Sequence, residues 1–318
     1  MQAKSALILA GGEGKRMKSR KPKVLCEVLF QPMLGWVIDA VRKSGIDDIC
    51  VVTGSRHEQV ESYLSSLPFE VQTAFQSERL GTGHAVMMAR DFLKAHRGGD
   101  VVILGGDAPF IDAGTISDAY NAQLSAGDSR GCTVISAEVE NPFGYGRIIR
   151  KNGGAELECI VEEKEATPQQ KAVREVNSGA YWFSTDELCE ALGKLTKSKK
   201  TGEYYLTDTI EIIRTSGKAV NAFKADNADS VLGANDCIQL SQLNEIARMR
   251  VLHEHMTNGV SVPCTDGVII GRDVRIGADT IILPSSVIRG GAVIGEGCEI
   301  GPGALVDGAV VPDGKKLR

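Results

Sequence analysis

The stretch Ala6-Leu7-Ile8-Leu9-Ala10-Gly11-Gly12-Glu13-Gly14-Lys15-Arg16-Met17 decides the reading of this chain. An apolar run of strand length opens directly into three glycines within four residues. Lys15 and Arg16 follow at once, and Lys23 stands just behind Pro22. Glycines let the backbone turn tightly and approach a ligand closely, so that N–H groups can point at an anion. Neighbouring cations add charge-assisted contacts. The pattern reads as a phosphate cradle at the end of a buried strand, where open α/β sheets bind their ligands. Two familiar cradles fail on their residues. No Ser or Thr follows Lys15, as a Walker loop requires, and Met17 stands where a dinucleotide fingerprint needs its third glycine.

Working outward, residues to about 230 alternate strand and helix patterns. Ile49-Val52, Val71-Ala74 and Val101-Leu104 are short apolar runs. Helical stretches lie near His57-Leu64 and after Gly81-Thr82-Gly83-His84. This order predicts a mixed, mostly parallel sheet covered on both faces. A helix is expected from Asn235 to about His255, with Ile238, Leu240, Leu243, Ile246, Met249 and Leu252 recurring mostly at three-residue spacing. It reads as a connector over 231–260 between a domain at 1–230 and another at 261–318.

The tail holds a different period. Ile270, Ile276, Ile282, Ile288, Ile294, Ile300 and Val306 recur every six residues, and four residues after each stands Val274, Thr280, Ser286, Ala292, Cys298, Ala304 or Val310. One branched aliphatic and one small residue per six is the mark of a hexapeptide β-helix of the left-handed kind, here a little over two coils. So short a solenoid has few neighbours to stack on, which points to help from the connector helix or from subunit contacts. Pro312-Arg318 is polar and basic, suited either to capping the coil or to staying unstructured.

The 318 residues and 42% hydrophobic content suffice for two cores, and a net charge of −5 without a basic block argues against nucleic acid. Eight scattered cysteines form no Cys-x-x-Cys pair and read as buried hydrophobes of a reducing compartment. Met1-Ser5 leads straight into a strand whose apolar run is too short for a signal peptide, and no stretch is long enough to span a membrane. A cytoplasmic protein is expected.

The glycine loop with Lys21-Pro22-Lys23 resembles the signature of sugar-nucleotide pyrophosphorylases. Further segments extend the likeness to bacterial N-acetylglucosamine-1-phosphate uridylyltransferases. They are Gln76 with Leu80-Gly81-Thr82-Gly83-His84, Gly106-Asp107-Ala108-Pro109, Gly144-Tyr145-Gly146-Arg147, Val161-Glu162-Glu163-Lys164, Asn177-Ser178-Gly179, Gly202-Glu203-Tyr204-Tyr205-Leu206-Thr207-Asp208 and Asn235. The resemblance implies a Rossmann-like nucleotidyltransferase domain that joins UTP to N-acetylglucosamine 1-phosphate with Mg²⁺, and a homotrimer built through the β-helix. It implies that Leu9, Ala10, Gly11 and Gly12 hold the nucleotide and that Arg16 and Lys23 bind the triphosphate. Gln76, Gly81 and Thr82 would contact uracil. Gly106, Gly146, Glu162 and Asn177 would form the sugar site, with Thr207-Asp208 nearby, and Asp107 and Asn235 would hold the metal.

The residues also allow plainer roles. Asp107 and Asn235 are good helix caps, and Glu162 sits in a charged run that could be a solvated face. Many relatives carry an aromatic where Gly105 stands. The bifunctional members of the family continue into an acetyltransferase site. None of His57, His84, His96, His253 and His255 lies in the coils, so no acetyltransferase activity is expected. The competing readings are another sugar-1-phosphate nucleotidyltransferase, making UDP-glucose, ADP-glucose or GDP-mannose, and a non-catalytic nucleotide-sugar sensor.

Overall fold

The computed structural model describes residues 3–318; Met1 and Gln2 of the opening segment lie outside them. Two compact units result. One holds the residues up to Leu25 together with Met33–Gly233, the other Cys26–Pro32 together with Ala234–Arg318.

The first unit is built on nine strands: β1 Lys4–Leu9, β2 Ile49–Thr53, β3 Gln72–Phe75, β4 Asp100–Gly105, β5 Arg130–Glu138, β6 Arg147–Arg150, β7 Leu157–Val161, β8 Glu175–Ser184 and β9 Ala219–Lys224. Their order is β9-β5-β8-β4-β1-β2-β3, with β6 against β8 and β7 against β6. β1 runs parallel to both β2 and β4, so Leu7 faces Cys50 on one side and Ile103 on the other. β8 runs antiparallel between β4 and β5. The sheet is therefore mixed and mostly parallel, as the alternation of patterns predicts.

Side chains along β1 part to the two faces. Ala6 and Ile8 join a core with Leu34, Val37 and Ile38 of the helix Met33–Lys43. Leu7 enters the opposite core with Val86, Phe92, Leu188 and Ile213. A strand covered on both faces needs apolar residues at every position, which is why Ala6-Leu9 is unbroken instead of alternating.

In the second unit the long helix spans Cys237–Thr257, and its N-cap is Asp236, whose carboxylate accepts from the Gln239 N–H at 2.9 Å. Asn235, a good cap by residue type, stands one place too early; its own N–H donates to Gln239 Oε1 at 2.7 Å. The same helix holds a small hairpin, Glu27–Val28 against Gln31–Pro32. Asn244 accepts from the Leu29 N–H at 3.0 Å and donates to the Glu27 carbonyl at 3.2 Å. Residues 26–32 thus belong to the second unit, although they fall within the stretch expected to form the first domain.

The coils stack as three three-stranded parallel sheets. Their inward ladders are Ile270-Ile288-Val306, Ile276-Ile294-Val311 and Ile282-Ile300-Leu317. The small inward residues satisfy their own polar atoms. The Thr280 hydroxyl donates to the Gly295 carbonyl at 2.8 Å and accepts from the Cys298 N–H at 3.0 Å.

The strict frame of six fails once. Val310, expected inward, is 76% exposed, and Val311 is 5% exposed. Five residues instead of six separate Val306 from the next inward aliphatic, and losing one residue turns the following side chains to the other face. Pro312-Arg318 is not unstructured throughout: Lys316–Leu317 pairs with Glu299–Ile300, and Lys316 Nζ lies 2.8 Å from Glu299 Oε2. The coils consequently extend to a third strand on every side.

Among the described residues no helix is long and apolar enough to cross a membrane. Val311→Ser is expected to lower stability by about 1–2 kcal/mol and Val310→Ser by less than about 0.5 kcal/mol, which chemical denaturation of the two variants reads directly.

Candidate active site

The carboxyl ends of β1, β2 and β3 meet at the glycine turn. Ala10 N–H donates to the Val52 carbonyl at 2.8 Å and Gln76 N–H to the Thr53 carbonyl at 2.9 Å. A Cβ on Gly54 would fall 2.5 Å from the Gly11 carbonyl oxygen, and one on Gly11 would fall 3.0 Å from Gln76 Oε1. Gly54 therefore requires glycine for close approach, and a Cβ on Gly11 would press on the Gln76 carboxamide. Gly12, by contrast, is exposed with nothing near its missing Cβ. The turn is packed tightly on its inner side and open on its outer side, as a backbone that receives a ligand must be.

Gln76 is buried, and its carboxamide is committed on one end. Nε2 lies 3.1 Å from both the Gly81 carbonyl and His84 Nδ1, which leaves Oε1 facing Gly11. Gly81 and Thr82 are held by a partner segment. Gly83 N–H donates to the Tyr204 carbonyl at 2.8 Å, Tyr204 N–H to the Leu80 carbonyl at 2.7 Å, and Leu206 N–H to Thr82 Oγ1 at 3.0 Å. Gly81 has φ +99°, and a Cβ there would strike the Tyr204 carbonyl oxygen.

β4 delivers Gly106 and Asp107 beside the turn. Gly106 N–H donates to the Leu9 carbonyl at 2.9 Å. The Asp107 carboxylate forms an ion pair with the Lys23 ammonium, whose side chain is 13% exposed. Gly14, at φ +62°, lets the turn pass Lys23, since a Cβ there would come within 2.8 Å of Lys23 Cβ. Lys15 lies 3.2 Å from Glu13, which also pairs with Arg79; the hydrogen bond from Lys15 leads in holding the Glu13 carboxyl below its usual range. Arg16 is exposed and makes no ion pair among the described residues.

Among those residues no three His, Cys, Asp or Glu side chains cluster as a metal cage. The partly exposed Asp107 carboxylate at the strand end is a hard oxygen donor of the kind a divalent ion such as Mg²⁺ takes, and a metal there would have to displace the Lys23 ammonium. Such an ion takes one or two protein oxygens and completes its shell with water and phosphate.

A second constellation lies past the end of β4, where β8 begins. A Cβ on Gly146 would meet Ile160 Cγ2 at 3.1 Å, Glu162 Oε1 at 3.5 Å and Asn177 Cβ at 3.7 Å. Asn177 N–H donates to the Gly146 carbonyl at 2.9 Å. Glu162 lines a cavity of about 1240 Å³ together with Tyr205, Thr207 and Asp208. Burial, and secondarily the charge of Glu165, raises the Glu162 carboxyl above its usual range; burial does the same to Asp208.

The nucleotidyl transferase profile matches residues 5–239 of this chain. The chain belongs to the nucleotidyl transferase family. The bacterial transferase hexapeptide profile, of six repeats, matches residues 273–308, in keeping with a left-handed β-helix. The chain is similar to proteins named bifunctional protein GlmU. The identity is 44% over 276 residues for that of Acetivibrio thermocellus and 42% over 276 residues for that of Thermoanaerobacter pseudethanolicus, each alignment covering 87% of this chain and 58% of the relative. The GlmU of Clostridium novyi is 44% identical over 273 residues, or 86% of this chain and 58% of the relative. The chain thus spans a little over half the length of the curated relatives it matches. In fold it is similar to a Bacillus anthracis chain assigned as a glucose-1-phosphate thymidylyltransferase, solved with a sucrose, with TM-score 0.63 and 22% identity, covering 77% of this chain and 96% of that one.

Within the nucleotidyl transferase unit the structure brings Leu9, Ala10, Gly11, Gly12, Gln76, Gly81 and Thr82 into one contiguous group. It joins Lys23, Gly106 and Asp107 in another, and Gly146, Glu162 and Asn177 in a third. Asn235 lies in the second compact unit.

Sequence reasoning missed what holds the third group in place. Arg147 is 2% exposed; it donates to the Tyr145 carbonyl and to Glu163 Oε2 at 2.6 Å. Glu163 also accepts from the Gly144 N–H at 3.3 Å and lies 3.7 Å from Lys171. Both adjacent carboxylates border the cavity, and of the two Glu163 is the one that anchors Arg147. The one available signal was an arginine heading the apolar pair Ile148-Ile149.

The hydrogen bond from Arg147 is the leading influence holding Glu163 below the ordinary carboxylate range. Its stabilising contribution is complete above the unfolded value of about 4.3 and fades as pH falls through the lowered folded value. Glu163→Gln is therefore expected to lose stability at neutral pH and to show a shallower acid-side decline, measured by thermal melts between about pH 3 and pH 7.

Proposed function

We propose that this chain transfers the uridylyl group of UTP to N-acetylglucosamine 1-phosphate, releasing pyrophosphate and supplying a cell-wall precursor in the cytoplasm. The observation that carries the reading is the convergence of Gly146, Glu162 and Asn177 at the same sheet edge that bears the glycine turn. The similarity to proteins named bifunctional protein GlmU supports it.

The proposed roles fit the geometry. The open outer side of Gly12 receives the triphosphate, and Arg16 and Lys23 neutralise its charge. Gln76, with its nitrogen engaged and its oxygen turned to the turn, offers an acceptor that suits the N3–H of uracil. Gly146, Glu162 and Asn177 hold the amino sugar, with Gly106 at the floor beside Asp107. Asp107 would hold Mg²⁺, which would offset charge on the phosphates when bound. A phosphate oxygen of the sugar 1-phosphate attacks the α-phosphorus in line as the pyrophosphate bond breaks. The attacking group is already anionic, so no side chain need remove a proton. Positioning and preorganised positive charge supply the catalysis. The exposed Leu305 and Val310 of the last coil support a homotrimer through the β-helix.

The deciding experiment is a competition. The protein, Mg²⁺ and all common nucleoside triphosphates are mixed with equal glucose, galactose, mannose and N-acetylglucosamine 1-phosphates, and products are identified by mass. UDP-N-acetylglucosamine is expected to dominate; a different nucleotide sugar overturns the substrate assignment. Asp107→Ala is expected to lose about a hundredfold or more in turnover with its melting temperature retained. Because Glu162 is raised by burial, KM for the sugar 1-phosphate is expected to climb as pH falls from neutrality, beginning above the ordinary carboxylate range. Glu162→Gln should flatten that profile.

A further inference from the structure

The strand that carries Asn177 is interrupted just after it. On β8, Asn177 faces Ser136 of β5, yet Ala180 faces Ile135, the very next residue along the partner strand. Ser178 and Gly179 bulge out of the ladder. Gly179 adopts φ +76°, and the Ser178 hydroxyl donates to the Ile135 carbonyl at 2.6 Å and accepts from the Ala180 N–H at 3.1 Å. In a regular strand, residues four apart are separated by about 13 Å. Here the bulge removes two steps. Asn177 and Tyr181 end two register positions apart on the same face, since Tyr181 faces Val134.

That shortening lets a core tyrosine reach the site. Tyr181 is 4% exposed, its ring packed in the core beside Phe183, with centroids 5.8 Å apart. Its hydroxyl accepts from Asn177 Nδ2 at 2.8 Å. The Asn177 oxygen accepts from the Gly179 N–H at 3.0 Å, and the Asn177 backbone N–H is tied to Gly146. The Gly179 contact fixes which end of the amide is oxygen, so the nitrogen must face the phenol. A carboxamide has two N–H donors and two acceptor lone pairs. One of each is used inside the protein, and one of each remains for a ligand.

We propose that Tyr181 is a positioning residue for the sugar site. It locks the Asn177 carboxamide in one orientation, so that a single N–H and a single carbonyl lone pair are presented to a ligand bearing an acceptor beside a donor, as an acetamido or vicinal hydroxyl group does. The inference rests on the assignment of Asn177 to the sugar site. The bulge at Ser178-Gly179 is the device that makes the phenol reach, and the hydroxyl, not the ring, is the functional part.

Tyr181→Phe keeps the ring in the core and removes only the acceptor. In steady-state kinetics it is expected to raise KM for N-acetylglucosamine 1-phosphate about fivefold, in line with the loss of one neutral hydrogen bond. Turnover number, KM for UTP and melting temperature should stay near those of the unsubstituted protein. In an Asn177→Ala background the same substitution should have no further effect on the sugar KM, because the group it orients is gone. An unchanged sugar KM in folded Tyr181→Phe overturns the proposal. So does an equal rise in the Asn177→Ala background, which would mark a merely structural role. Absence of any turnover by the unsubstituted protein would instead overturn the functional reading on which this inference stands.

Discussion

Everything at the site depends on how closely two strand ends approach at Gly11 and Gly54. Their backbones come together at a distance that excludes a Cβ on Gly54. That contact fixes the turn after β1 against β2, and Gln76 at the end of β3 then closes over it. The three neighbouring strands supply, in order, the cradle, the glycine that admits it and the polar side chain beside it. β4 on the other side adds Gly106 and Asp107. A parallel sheet is a ruler here: because its strands share one direction, their carboxyl ends form one line, and a ligand laid along that line meets each in turn.

The electrostatics of this line are an exchange of partners. Lys23 is bound to Asp107, and Glu13 gathers Lys15 and Arg79. The basic residues that a sequence counts as awaiting a phosphate are mostly satisfied by carboxylates within the chain. On the proposed reading, a polyanion entering the site would replace those carboxylates instead of meeting bare charge. A chain of net charge −5 can in this way hold a positive pocket without carrying a positive surface. The arrangement also keeps the lysine extended toward the turn before any ligand arrives.

Local chemistry was legible where one residue type has one use. The glycine turn, the apolar β1 run and the aliphatic period of the tail each announced their geometry, because a tight turn, a two-faced strand and a stacked coil tolerate few alternatives. Pairings between distant residues were not legible. Glu162-Glu163-Lys164-Glu165 reads as a solvated face, and nothing in it says that Glu163 meets the buried Arg147. Asn235 and Asp236 are equally good caps by type, and only the path of the chain selects Asp236. The missing residue between Val306 and Val311 leaves the composition of the coil unchanged, so the sixfold frame runs past it to Val310 unaware.

Glu162 and Glu163 are neighbours just past the end of β7, both bordering the cavity, and Glu163 alone clasps Arg147. A slip of a single residue in the pairing of β6 with β7 would carry the Glu163 carboxylate away from Arg147. Such an error would leave a buried guanidinium without its carboxylate partner. Breaking a buried ion pair is strongly destabilising, so the register of this hairpin is tied to the stability of the cavity wall it forms.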